Sequence, residues 1–153
     1  MYREPLNSNH ERAQDKRYVV VHHTNGPLDE SVRELRSRYL SLHPRSWPRY
    51  HYLIYNTGRY MQLAPVRAVL HASNPTYNAI HIAFVGNYDK HYPSPFALDT
   101  FKIVILHGVP LFYYGVRVVV PHSFLPDLCE MEHDVCPGRK LVEVLLGEGL
   151  MTE

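Results

Sequence analysis

Three short apolar runs, spread along most of the chain and separated by segments of helical period, restrict this sequence to a layered α/β fold. Tyr18-Val19-Val20-Val21 has the length of a buried strand and ends at His22-His23-Thr24, before the turn signal Asn25-Gly26-Pro27. Ala79 to Val85 is apolar on both alternating faces apart from His81, as a central strand covered on either side requires, and Gly86-Asn87 closes it. Val116 to Val120 is a last strand that runs into Pro121-His122. Between the first two runs, Val32, Leu35, Tyr39 and Leu42 recur at helical spacing behind Asp29 and a Ser31-x-x-Glu34 capping pattern, which predicts a helix from 29 to 42, stopped by Pro44. Tyr50 to Tyr55 and Arg59 to Leu63 flank Asn56-Thr57-Gly58 as a hairpin. Leu98, Phe101 and Ile105 keep a helical period from Pro95 to Gly108, and Pro110 breaks it. Pro137 to Leu146 reads as a terminal helix with Pro at its first position. The order predicts one α/β domain over 17–153, a mixed sheet of about five to six strands flanked by helices, behind a polar arm at 1–16.

A chain of 153 residues buries a core without disulfide support and has room for one catalytic unit. Sixteen Lys and Arg balance fifteen Asp and Glu with no like-charge block, which argues against nucleic acid as a partner. No run approaches the roughly 18 apolar residues that span a bilayer, and no apolar signal stretch stands at the N-terminus. The expectation is a monomer made in the cytoplasm, with its two cysteines, Cys129 and Cys136, reduced there, and a disulfide between them as the alternative. Eleven His and twelve Tyr are the conspicuous excesses, and imidazole is the commonest metal ligand. His22 and His122 end the first and last strands, so they lie side by side if those strands are neighbours. A catalytic zinc takes about three protein ligands and leaves a position open for water. Two imidazoles and a thiolate meet that requirement, and Cys136, in Val135-Cys136-Pro137-Gly138, stands where a helix N-terminus favours the thiolate.

The chain resembles the type 2 N-acetylmuramoyl-L-alanine amidases, the family that includes phage lysozyme-type amidases and the peptidoglycan recognition proteins. Five segments carry the likeness in order: Tyr18 to Gly26; Arg49-Tyr50-His51-Tyr52-Leu53-Ile54 with Gly58; Ala68-Val69-Leu70-His71-Ala72; Asn78 to Tyr88; and His122 followed by Cys136-Pro137-Gly138. The resemblance implies an amidase-like fold, one zinc ion, and His22, His122 and Cys136 as its ligands, with His23 turned to the other side of the strand. Because the loop from Ser123 to Val135 is longer than the family's usual spacing, Cys129 is a rival third ligand. Tyr50 matches the family's catalytic Tyr. His51 and His71 match positions lining its substrate groove. Where the family commonly carries Lys or Thr, two residues before the ligand Cys, this chain has Asp134, with His133 beside it as a replacement donor.

The activity implied is hydrolysis of the amide between N-acetylmuramic acid and L-alanine of peptidoglycan, by a phage or prophage endolysin released through a holin. The alternative is a zinc-free peptidoglycan-binding module of the same fold.

Overall fold

The computed structural model describes residues 18–42, 47–65, 70, 79–104, 118–121 and 138–151. Five strands, β1 (Tyr18–His23), β2 (Tyr52–Ile54), β3 (Tyr60–Gln62), β4 (Ala79–Phe84) and β5 (Val118–Pro121), form one sheet in the order β3-β2-β4-β1-β5. Three helices accompany them: α1 (Val32–Leu42), α2 (Pro95–Ile103) and α3 (Arg139–Gly147). β4 lies parallel to both β1 and β2, and β1 lies parallel to β5. The hairpin pair β2–β3 is antiparallel, which makes the sheet mixed, as expected. Among the described residues no helix is long and apolar enough to cross a membrane.

The apolar runs follow from this order, because parallel strands with helices on both sides bury both sets of side chains. On one face Val19, Val21, Ile80, Ile82, Phe84 and Ile54 pack with Ala97 and Phe101 of α2 and Leu141 and Leu145 of α3. The alternate residues Leu53, Ala83 and Val85 pack with Leu35 of α1, Tyr50 and Tyr55 on the other. Leu141 and Leu145, one turn apart and both fully buried, anchor α3 with roughly 3–6 kcal/mol of apolar burial as an upper figure.

Local signals set the helix starts. Ser31 Oγ accepts from Glu34 N–H at 3.1 Å while Ser31 N–H donates to Glu34 Oε1 at 2.9 Å, a reciprocal capping box that opens α1 at Val32. Ser94 Oγ accepts from Ala97 N–H at 3.0 Å, and Pro95 takes the first helical position of α2, where its missing donor costs nothing. α3 starts at Arg139, so Pro137 is not its first residue as the sequence reading has it. The reason is Gly138, whose φ of 98° and ψ of 140° are not helical. Its bare Cα faces the backbone of the turn after β4. There Arg139 N–H donates to Asp89 Oδ1 at 2.9 Å and Lys140 N–H to the Tyr88 carbonyl at 2.9 Å. The N-terminal arm and the extension of α2 beyond Val104 fall outside the described residues.

Candidate functional site

Strand alternation sends the two consecutive histidines of β1 to opposite faces. His23 Nδ1 accepts the Tyr88 N–H at 3.0 Å, which ties β1 to the turn that receives α3. His22 shares the face of Val20 and is 3% exposed. Its ring lies 5.1 Å from that of Tyr50, and its Nε2 is 2.8 Å from Nδ1 of His81 on β4. His81 in turn stacks on His51 at 5.9 Å and 9°. Two hydrogen bonds lock this stack: His51 N–H donates to the His81 carbonyl at 2.8 Å, and His81 N–H donates to the His51 ring at Nδ1 at 2.9 Å. Three buried imidazoles from β1, β4 and the residue before β2 thus form a chain of contacts, with His22 at the end beside Tyr50.

The chain leaving His22 is held as firmly. Thr24 N–H donates to the Phe84 carbonyl at 3.0 Å and Asn25 N–H to the Gly86 carbonyl at 2.9 Å, continuing the ladder past the strand. Arg38 of α1 donates to the Thr24 carbonyl at 2.8 Å and grips Glu30 through Nε and Nη2 at 2.9 and 2.8 Å. The hydrogen bond to Glu30 raises the Arg38 pKa, so the guanidinium stays charged there. Tyr55 adds its hydroxyl to the Glu30 carbonyl at 2.7 Å. Tyr39 covers Tyr50 edge-on at 6.3 Å and carries Arg49 over its own ring at 5.3 Å.

Of the residues singled out from sequence, His22, Tyr50 and His51 come together here. His51 has no exposed surface, so its place is behind His81. His122, Cys129, Cys136, His71, His133 and Asp134 lie outside the described residues. Among the described residues, no three His, Cys, Asp or Glu side chains form a group that holds a metal. The sheet register bears on the ligand pairing all the same, because Val21 pairs with Pro121, the positions just before His22 and His122. His81 was not among the sequence candidates. Its signal was there to read, as the one polar residue in an otherwise apolar strand.

The family profile for N-acetylmuramoyl-L-alanine amidase matches residues 12–139. Among solved structures, the chain is similar to the Ph2119 endolysin from the Thermus scotoductus MAT2119 bacteriophage Ph2119, at 26% identity over 99% of this chain and 90% of that one, with a TM-score of 0.64. It is similar to the N-acetylmuramoyl-L-alanine amidase LysC from Clostridium intestinale URNW at 20% identity, 99% and 94% coverage, and a TM-score of 0.70. It is also similar to peptidoglycan recognition protein-LE, solved in complex with tracheal cytotoxin, at 20% identity, 91% and 84% coverage, and a TM-score of 0.70. Comparison with curated proteins found no match.

Proposed function

Because the chain belongs to the N-acetylmuramoyl-L-alanine amidase family, we propose that it is a zinc-dependent hydrolase of the amide between N-acetylmuramic acid and L-alanine in peptidoglycan. The observation that carries this reading is the buried His22 at the end of β1, in a register that pairs the residue before it with the residue before His122. His22, His122 and Cys136 are the residues that would hold the metal, a donor set of two imidazoles and one thiolate that suits zinc. Zinc bound there would supply a Lewis acid for the scissile carbonyl and an acidified water for attack.

The rest is assigned to the chain's own side chains. The Tyr50 hydroxyl donates a hydrogen bond to the oxyanion that develops on the carbonyl, next to His22. His133 is a second donor to that oxyanion. Asp134 orients a ligand imidazole or takes up the proton of the attacking water and returns it to the L-alanine amine as the C–N bond breaks. His71 contacts the substrate, and the fully buried His51 contributes through the packing behind His81. Likeness to a phage endolysin supports an endolysin role here, and release through a holin belongs to the same proposal.

Incubation with purified cell wall should release new amino termini of L-alanine, stop on treatment with a chelator, and resume on addition of zinc. Full activity in the stripped protein would remove zinc from the scheme. Tyr50→Phe should lower kcat about 100-fold with zinc content unchanged, a loss in the range seen for single oxyanion donors; an unaffected kcat would return Tyr50 to a packing role. Likeness to a recognition protein solved with a peptidoglycan fragment favours one second reading, a binding module. Retention on wall without new amino termini would select it.

A further inference from the structure

The hydrogen bond between His22 Nε2 and His81 Nδ1 has a chemical consequence for the nitrogen that His22 presents. Two neutral imidazoles share a single proton across such a contact, so one nitrogen donates and the other accepts. If His22 Nε2 donates, its Nδ1 keeps the lone pair, and His81 carries its own proton on Nε2. If His81 Nδ1 donates instead, His22 is protonated on Nδ1 and its other nitrogen is occupied by the bond, which leaves no lone pair for a cation. The first arrangement places both rings in the Nε2–H form, the more stable tautomer of a neutral histidine side chain. The second places both in the less stable form.

His81 is well held for this task. It sits at 1% exposure on the central strand, with its ring stacked on His51 and with both its backbone N–H and its carbonyl bonded to His51. His51 itself takes the backbone N–H of His81 on Nδ1, which settles its proton on Nε2. We infer that His81 is a positioning residue that fixes His22 in the Nε2–H tautomer and so makes Nδ1 the atom offered to a metal. This corresponds to the outer partner that metal-bound histidines commonly have, with an imidazole in place of the usual carboxylate or carbonyl. The metal half of the inference rests on the zinc reading above. The tautomer half does not.

The test uses the full chain in two measurements. Long-range 1H–15N NMR of the metal-free protein, at a pH where the rings are neutral, should show His22 protonated on Nε2. A His22 protonated on Nδ1 overturns the inference. Zinc competition against a chromogenic chelator should show His81→Leu binding about 10–100-fold more weakly than the parent chain. His81→Asn, whose side-chain oxygen stands near the position of Nδ1 and accepts the same proton, should recover most of that loss. Equal zinc affinity in His81→Leu and the parent also overturns it. Should the leucine variant not fold, the parent spectrum and the asparagine variant decide. If the parent chain binds no zinc, the hydrolase reading fails, and the His22 spectrum still decides the role of His81.

Discussion

Replacing His22 by Ala is expected to abolish both zinc content and release of stem peptides, with activity falling by roughly 10³-fold or more, equivalent to about 4 kcal/mol of barrier. The ring is one of three proposed ligands, and its removal leaves the remaining two short of the three that a catalytic zinc takes. The variant should still fold. It leaves a buried His81 nitrogen without this partner, a cost of about 1–3 kcal/mol that the well-packed sheet tolerates. His23→Ala is the matched control. It too removes a buried ring acceptor, here the one that takes the Tyr88 N–H, but on the opposite face of the sheet. That variant should melt earlier and keep its zinc and its kcat. Metal analysis and melting curves on the pair separate the two effects. A His22→Ala chain that retains zinc and cleaves wall would sink the ligand assignment.

Gly138→Ala is expected to cost about 3 kcal/mol or more, which lowers the melting temperature by roughly 6–12 °C in a domain of this size. Two independent causes add. The backbone there has φ 98° and ψ 140°, a region that side chains with a Cβ avoid. An added Cβ would also stand 2.5 Å from the Tyr88 carbonyl carbon and 2.8 Å from Asp89 N, and backbone cannot swing aside as a long side chain does. The hydrogen bonds of Arg139 and Lys140 to the same turn would be strained first. Gly147→Ala, at the last residue of the same helix with nothing within 4 Å of the new atom, should instead raise stability by up to about 0.5 kcal/mol. Urea melts of the two variants check this. An unchanged midpoint for Gly138→Ala would mean that the helix start is not packed as closely as drawn.

What the sequence revealed depended on whether the cause was local. The apolar run Ala79 to Val85 was legible as a central strand because burial on both faces leaves no polar alternation. The capping box at Ser31 and Glu34 was legible for the same reason, since both partners lie within one turn. Strand alternation is legible in the same way, and it puts His22 and His23 on opposite faces of β1. α3 starts two residues after Pro137, which the sequence does not show, because Pro at a first helical position is a common signal and nothing near Pro137 in sequence reports the Tyr88 backbone against Gly138. His81 and the burial of His51 escaped for a related reason. Their meaning depends on β1 lying next to β4 and on the chain before β2 lying against it, and strand order is a property of the whole sheet.

That strand order also says when the site comes into being. β1 leads the described sheet in sequence, yet it pairs with residues roughly 60 and 100 positions further along. Its first sheet neighbour, β4, follows at residues 79–84 and its second, β5, at 118–121, so the site requires those long loops to close before it forms. Any ion gripped at its tip is therefore a ligand of the finished molecule alone, so its occupancy and the survival of the native state rise and fall together.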